Sequence, residues 1–309
     1  MNCIDQVVTD RYTAIHGDCV EAIAGLPDQC IGYSIFSPPF ASLYTYSNSP
    51  RDMGNVRNDA EFFGHLDFLI AQLRRVMMPG RDISFHCMDM PASKERDGYI
   101  GLKDFRGDLI REFLRRGFIF HSEHCIWKDP LIEATRTKAI GLMHKQLCKD
   151  STMSRAGIPQ YLLAFRDPGV NAEPVAHIDG LTDFAGEDDP NYGNPSHERW
   201  RRYASPVWSD IRQTRTLNYR AARDNDDERH IAPIALDIVE RALTLWTNPG
   251  DVVLSPFMGI GSEGFVALEL GRKFVGVELK KSYFEQSVRN LQAAVKEAAQ
   301  DLFAVAEAA

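Results

Sequence analysis

Short apolar runs alternate with longer amphipathic segments along this chain, and the period of each segment predicts its secondary structure. Between residues 61 and 78 the apolar side chains recur at helical spacing, and the segment ends at Pro79-Gly80, a pair that terminates helices. Apolar runs bounded by glycine, proline or aspartate predict strands instead. The strands are expected at residues 12–15, 31–36, 82–87, 118–127, 160–166, 251–254 and 273–277.

The helices expected from the same pattern lie between these strands. They are expected at residues 20–26, 61–78, 105–116, 232–246, 262–270 and 282–306. Strands that alternate with helices throughout a chain indicate an α/β fold, with a mainly parallel sheet that helices cover on both faces. Residues 40–58 and 168–229 are polar and irregular, and the second stretch is predicted to be an inserted segment.

The composition is that of a globular protein. The 309 residues, of which 44% are hydrophobic, suffice for one large α/β domain or two smaller ones. No window approaches a membrane span and the N-terminus lacks the pattern of a secretory signal, so a cytoplasmic location is expected. The six cysteines are scattered without ligand-like clustering, which indicates free thiols and no metal site.

The net charge of −8 is unusual for a protein that binds nucleic acid, but the charges are unevenly distributed. Between residues 136 and 166 there are six basic residues and one acidic residue, whereas acidic residues gather at 187–189 and 224–228. Such a basic run can contact phosphates, and it can equally be an ordinary solvated face. Charge alone favours the solvated face.

A ligand site is predicted at the carboxyl end of the strand at 251–254. The strand runs into a turn containing Gly259 and Gly261, which let the backbone bend sharply and approach a ligand. The helix that follows presents free N–H groups to the same place. Glu278 ends the next strand, where a carboxylate can accept both hydroxyls of a ribose. This order predicts an adenosine-bearing cofactor. It does not separate NAD from S-adenosylmethionine, because Gly264 completes the G-x-G-x-x-G spacing of NAD-binding folds.

Two motifs resemble those of DNA amino-methyltransferases. Residues 37–40, Ser-Pro-Pro-Phe, resemble the (Asp/Asn/Ser)-Pro-Pro-(Tyr/Phe) signature of N6-adenine and N4-cytosine enzymes. Residues 255–261, Ser-Pro-Phe-Met-Gly-Ile-Gly, resemble their Asp-Pro-Phe-x-Gly-x-Gly cofactor loop, and residues 17–18, 230–233 and 272–278 also fit the family pattern. The catalytic motif precedes the cofactor loop, which is the order of the circularly permuted β group.

The resemblance covers residues 12–167 and 230–291, and it implies both a fold and an activity. The implied fold is a Rossmann-like seven-stranded methyltransferase sheet, circularly permuted. The implied activity is transfer of a methyl group from S-adenosylmethionine to an exocyclic amine of a flipped base in double-stranded DNA, as in restriction-modification, with a homodimer left open. The domain boundaries expected are a catalytic half at 1–167, a target-recognition segment at 168–229 and a cofactor-binding half at 230–309.

The resemblance also assigns roles to individual residues. The Ser37 hydroxyl and the Pro38 carbonyl would accept hydrogen bonds from the target amine, and tandem prolines hold the backbone rigid. Phe40 would stack on the flipped base. The predicted catalytic residues are Ser37, Pro38, Pro39 and Phe40. The predicted cofactor-binding residues are Asp18, Ser255, Pro256, Phe257, Gly259, Gly261, Ser262, Glu263 and Glu278. The predicted DNA contacts are Arg136, Lys138, Lys145, Lys149, Arg155 and Arg201.

Two positions depart from the family pattern. Ser255 stands where the family has aspartate, and Ser262-Glu263 stands where it has Thr-Thr. Serine at position 37 is more typical of N4-cytosine enzymes within the family, so cytosine is favoured and N6-adenine stays open. The alternatives are an inactive DNA-binding relative and an NAD enzyme, and Asp18 can equally be an ordinary turn residue.

Overall fold

Eleven strands and ten α-helices lie in the part of the chain that the computed structural model describes, residues 3–40, 52–137, 140–178, 180–181, 195–222 and 233–308. The strands are β1 (Asp5–Val8), β2 (Tyr12–His16), β3 (Tyr33–Phe36), β4 (Asp82–Met88), β5 (Met90–Ala92), β6 (Gly101–Lys103), β7 (Ile119–Ile126), β8 (Gln160–Arg166), β9 (Val207–Trp208), β10 (Val252–Ser255) and β11 (Lys273–Glu278). The helices are α1 (Cys19–Ala24), α2 (Asp59–Val76), α3 (Lys94–Asp97), α4 (Phe105–Arg115), α5 (Pro130–Thr137), α6 (His144–Lys149), α7 (Pro195–Ala204), α8 (Leu236–Trp246), α9 (Ser262–Glu269) and α10 (Lys281–Ala308).

Nine of the strands form one sheet in the order β1-β2-β11-β10-β3-β4-β8-β7-β9, and β5 pairs with β6 in a separate hairpin. The strands from β2 to β4 in this order run parallel, whereas β8 is antiparallel to both β4 and β7. The predicted α/β fold with a mainly parallel sheet is confirmed. The sheet contains all seven predicted strands, and β1 and β9 are added as its two outermost strands. The expected count of seven is therefore too low.

Both additional strands were missed for local reasons. Three of the four side chains of β1 are exposed, so no apolar alternation marks it, and β9 has only two residues. The predicted helix at 232–246 begins later, at Leu236, because tertiary contacts determine its start. The Leu236 N–H donates to the carbonyl of Arg215, and the side chains of Arg212 and Arg215 bond to Asp237 in the first turn.

Apolar side chains pack on both faces of the sheet, as burial of two apolar faces requires. Helices α1, α2 and α4 contribute to the core on one face, and α8, α9 and α10 contribute to the core on the other. Within the described residues, no helix has both the length and the apolar character that crossing a lipid bilayer needs.

Strands β2, β3, β4, β7, β10 and β11 all end at the same edge of the sheet, which we call the carboxyl edge. The opposite edge is called the amino edge. Three long connections leave the carboxyl edge, at residues 37–58, 89–104 and 127–159. In open α/β sheets, ligands bind beside the carboxyl ends of the strands where the connections diverge. Here they diverge between β10, which continues to β11, and β3, which continues to β4.

Candidate active site

The two sequence motifs meet at this point of the sheet. Strands β3 and β10 are parallel neighbours, with Ser34 opposite Leu254, and the Ser34 hydroxyl donates to the Leu254 carbonyl at 2.9 Å. Just beyond this pair, the rings of Phe36 and Phe257 lie 5.8 Å apart between centroids. Residues that are more than 200 positions apart in sequence therefore begin the two loops of one site.

The hydroxyl of Ser37 is oriented by a neighbouring strand. Its O–H donates to the carbonyl of His86, near the end of β4, at 3.0 Å. A carbonyl only accepts, so the proton of Ser37 is committed and the remaining lone pairs of Oγ are left for an incoming donor. Pro38 and Pro39 are buried, whereas Ser37 is half-buried. Ser37 is thus presented as a hydrogen-bond acceptor at the carboxyl edge.

The side chain of His86, whose backbone carbonyl accepts from Ser37, contacts Gln160, and sequence reasoning did not identify either residue. The imidazole of His86 is buried and its Nε2 lies 2.9 Å from Gln160 Oε1. Burial lowers the pKa of His86 to about 4, so the ring is neutral at physiological pH. The sequence offered only one signal for it, a polar residue inside an apolar strand.

Phe40 is half-buried and packs towards the core. Its ring lies 6.2 Å from that of Phe105, which in turn contacts Phe62 and Phe63. The aromatic cluster therefore fixes one side of the Phe40 ring. Residues 41–51, which follow directly, lie outside the described residues.

The cofactor loop after β10 has the backbone geometry of a close-approach turn. Gly259 and Gly261 have φ angles of +54° and +89°, a region that favours glycine. A Cβ added at Gly259 would meet no atom within 4 Å, so open space lies over this backbone. Gly261 is the N-cap residue of α9 and makes no side-chain capping bond. The first turn of α9 therefore lacks a side-chain cap, as a ligand site at a helix N-terminus requires.

Glu278 is held by the same loop. Its Oε2 accepts from the Gly259 N–H at 2.8 Å, and its Oε1 accepts from the Lys280 N–H at 2.8 Å. Burial raises the pKa of Glu278 to about 7, although these two backbone bonds favour the ionised form. Each carboxyl oxygen keeps a lone pair for a further donor, such as a ribose hydroxyl.

The two departures from the family pattern lie inside this site. Ser255 is fully buried, and its Oγ has no hydrogen-bond partner among the described residues. Glu263, in the first turn of α9, is only 4% exposed. Burial, and then the nearby carboxyl of Glu278, raises the pKa of Glu263 to about 8. Ser262 beside it is also buried.

Asp18 has a structural task in the protein. It is the N-cap of α1, where its Oδ1 accepts from the Glu21 N–H at 3.0 Å. It also follows β2 at the carboxyl edge, one residue after Gly17, whose N–H donates to the Glu278 carbonyl at 3.0 Å. Its position agrees with a turn residue and with a cofactor contact, so the predicted contact stays a prediction.

Lys145, Lys149 and Arg155 lie in the connection between β7 and β8, which leaves and re-enters the sheet at the carboxyl edge. Both lysines are exposed on α6, and Arg155 is half-buried. The fold thus places these three basic residues on the same edge as Ser37. Of the other predicted DNA contacts, Arg136 lies in α5, and Lys138 lies outside the described residues.

The predicted recognition segment, residues 168–229, does not lie wholly at the site. It begins at the amino edge, where Arg81 Nη1 donates to the Glu173 carbonyl and Asn248 Nδ2 donates to the Pro174 carbonyl. Farther along, α7 carries the exposed Arg201 and packs through Tyr203 against Arg241 of α8. The structure therefore does not bring Arg201 together with Lys145 and Lys149 on one element.

Comparison with known proteins shows the family of the chain. The model of a DNA methylase family, N6_N4_Mtase, matches residues 34–289. The type II methyltransferase M.BglII of Bacillus subtilis is 27% identical over 277 residues, which are 87% of this chain and 66% of that protein. The type II methyltransferase M.BamHI of Bacillus amyloliquefaciens is 24% identical over 88% of this chain and 55% of its own length. The chain thus spans less than two thirds of the length of these relatives.

Solved structures show the same fold. TTHA0409 of Thermus thermophilus, complexed with S-adenosyl-L-methionine, superposes with a TM-score of 0.66 at 20% identity, covering 93% of this chain and 95% of that one. The cytosine-N4-specific PvuII DNA methyltransferase gives a TM-score of 0.57 at 17% identity, covering 94% of this chain and 90% of that one.

Proposed function

Because the chain belongs to the N6/N4 DNA methylase family, we propose that it transfers a methyl group from S-adenosylmethionine to an exocyclic base amine of double-stranded DNA, with N4 of cytosine as the favoured acceptor. One observation carries the proposal. The Ser37 motif and the open glycine turn at Gly259 follow two adjacent parallel strands, at the same end of the sheet. A methyl donor and an amine need such a pair of loops, since the two reactants must be held next to each other.

The residues of the loop after β10 fit the cofactor. The open space over Gly259 admits a ligand against the backbone, the buried Ser255 Oγ lacks a partner among the described residues, and Glu278 offers fixed acceptor oxygens for a ribose. S-adenosylmethionine, when bound, supplies an electrophilic methyl group on a positively charged sulfur. The chain supplies the shape and the polar contacts.

Ser37 acts in this proposal by position and not as a base. Because its proton is donated to the His86 carbonyl, Oγ accepts from an N–H of the target amine and orients the nitrogen lone pair. His86 is neutral, and its Nε2 is engaged with Gln160. Rate acceleration would therefore come from alignment of the two reactants, which a rigid Pro38-Pro39 backbone maintains.

The basic residues of the carboxyl edge support DNA as the partner. Lys145 and Lys149 are exposed on α6, on the edge where the base would enter. An electrostatic contact with the phosphate backbone is independent of sequence and positions the duplex. The acidic runs at 187–189 and 224–228 belong to other segments of the sequence, so the charge of −8 is not spread evenly along the chain.

The test is to incubate the purified protein with duplex DNA of mixed sequence and methyl-labelled S-adenosylmethionine, and to identify the modified nucleoside by mass spectrometry. We expect N4-methylcytosine. N6-methyladenine would overturn the choice of base but keep the reaction class. Absence of any methylated nucleoside, despite cofactor binding measured by calorimetry, would favour an inactive DNA-binding relative, and binding of NAD in its place would favour the dinucleotide alternative.

A further inference from the structure

Glu263 is a buried carboxyl group for which the proposed reaction has not yet supplied a role. It is 4% exposed, and it lies in the first turn of α9, directly after the turn of Gly259 and Gly261. No basic side chain among the described residues forms an ion pair with Glu263 or with its neighbour Glu278. A buried carboxylate without a cation is costly, so the free protein keeps Glu263 protonated.

The elements around α9 supply no cation to this carboxyl within the described part of the chain. From β11 comes the carboxyl of Glu278, and Asp52 adds negative charge near Glu278. Lys280, which follows β11, holds its ammonium over the ring of Tyr283, 4.4 Å from the centroid. On α8, Asp237 and Glu240 pair with Arg215, and Arg241 pairs with Asp210. On α10, the groups near the loop are polar or engaged elsewhere: Ser287 lies beside Gly261, Asn290 donates to the Ile260 carbonyl, Arg289 bonds to Gln286, and Lys281 pairs with Glu285.

A cationic ligand would favour the ionised form of Glu263 over the protonated form. S-adenosylmethionine carries a sulfonium and an α-ammonium, two positive charges against one carboxylate, and the open turn at Gly259 lies four residues before Glu263 in the chain. An opposite charge within a few ångströms favours the ionised form of a carboxyl. We propose that Glu263 is the acidic partner of the cationic amino-acid end of the bound cofactor, and that it gives its proton to solvent when the cofactor binds. This inference rests on the proposed function, since it requires the same cofactor.

The two departures from the family pattern, at positions 255 and 263, agree with this role. Ser255 removes a carboxylate from the end of β10, and Glu263 adds one at the start of α9, so the site keeps one acidic group besides Glu278. Because Glu263 is protonated in the free protein, whereas its pKa of about 8 falls on cofactor binding, the affinity gains a dependence on pH.

Isothermal titration calorimetry measures the number of protons that the complex releases when the cofactor binds. Binding is measured at pH 7.0 in two buffers of different ionisation enthalpy, a pH at which the ligand's own α-ammonium stays mostly charged. Three ligands are compared. S-adenosylmethionine has both positive charges, S-adenosylhomocysteine lacks the sulfonium but keeps the ammonium, and methylthioadenosine has neither positive charge. We expect the protein to release up to one proton with S-adenosylmethionine, and Glu263→Gln to release clearly less. Binding of methylthioadenosine should release the same number of protons from the unaltered protein and from Glu263→Gln.

The affinity of the unaltered protein for S-adenosylmethionine should rise between pH 6 and 8, by at most about tenfold per pH unit, and Glu263→Gln should flatten this rise. Equal proton release from both proteins, or equal release with methylthioadenosine and S-adenosylmethionine, would overturn the inference. Binding of methylthioadenosine by Glu263→Gln checks that the variant is folded. If the variant is not folded, proton release from the unaltered protein with the three ligands is sufficient to test the inference. Failure of the adenosyl amino acids to bind at all would count against the proposed function, whereas binding without proton release counts only against Glu263.

Discussion

At the scale of single residues, the site depends on Ser37 and Gly259, and the surroundings of each determine what it can bind. Ser37 Oγ is an acceptor because its proton is already donated to the His86 carbonyl. The backbone of Gly259 is approachable because no atom lies where its Cβ would be. Each feature leads to a substitution with a matched control elsewhere in the chain.

Ser37→Ala should lower kcat and leave the affinity for the cofactor unchanged, because the hydrogen bond that it removes is made with the target amine. The cost should be about 1–3 kcal/mol, the scale of one buried hydrogen bond. Ser34→Ala is the control, since this buried serine of β3 bonds to the Leu254 carbonyl and does not belong to the motif. Rapid-quench kinetics on a duplex substrate measure the step. Full turnover by Ser37→Ala would remove Ser37 from the mechanism.

Gly259→Val should abolish most of the cofactor affinity, because it places a branched side chain in the open space over the loop. It also forces a valine to a φ of +54°, which costs about 1–2 kcal/mol by itself. Gly250→Val controls for this strain, because Gly250 has a φ of +86° and equally open surroundings, but precedes β10 at the amino edge. Calorimetry should separate the two variants, and equal reductions in affinity would contradict the placement of the cofactor.

At the scale of elements, strand direction decides which residues share a surface. Because β7 is antiparallel to β8 and β8 to β4, the connection at 127–159 emerges on the carboxyl edge with the catalytic motif. The same reasoning places residues 167–174 on the amino edge, since they follow the end of β8. The basic run of the sequence thus lies beside the site, while the first part of the irregular segment lies away from it.

Replacing Lys145 and Lys149 by glutamine should weaken binding to all DNA sequences alike. The slope of log K against log salt concentration should become shallower by about 0.9 for each phosphate that is no longer neutralised. Lys273→Gln serves as the control, because Lys273 is exposed at the start of β11 on the amino edge. Fluorescence anisotropy over a range of salt concentrations measures the slope. An unaltered slope in the double variant would make α6 an ordinary solvated face.

At the scale of the whole molecule, Glu263 and Glu278 couple the stability of the ligand-free protein to pH. Their pKa values of about 8 and about 7 lie above the value of an unfolded glutamate, so the folded state binds more protons between pH 4.5 and 8. The contribution of these groups is therefore present at low pH and is lost as the pH rises through this range, by up to about 1.4 kcal/mol per pH unit for each group.

Glu263→Gln should consequently gain stability relative to the unaltered protein as the pH rises from 5 to 8. The variant cannot ionise at this position, so it avoids the cost of a buried carboxylate. Urea unfolding at several pH values, without cofactor, measures the difference in the free energy of unfolding. A difference that stays constant with pH would show that Glu263 has an ordinary pKa in the folded protein.

Local patterns sufficed to predict the seven central strands and the six principal helices, because periodicity, proline and glycine act over a few residues. They missed the exposed strand β1, the strands β5, β6 and β9 of two or three residues, and the helices α3, α5, α6 and α7, which lie in the connections between the predicted elements. The predicted start of α8 was wrong because Arg212 and Arg215, distant in sequence, determine it.

By itself, the sequence determined which chemical groups are present and in what order, since motifs and strand boundaries are local properties. Only the tertiary structure decided how they act together. It set Ser37 against the His86 carbonyl, brought β3 beside β10 and buried Glu263 near Glu278. Hydrogen-bond direction, the pKa of a buried carboxyl and the edge on which a loop emerges all depend on atoms far apart in the chain. They exist only once the sheet has formed.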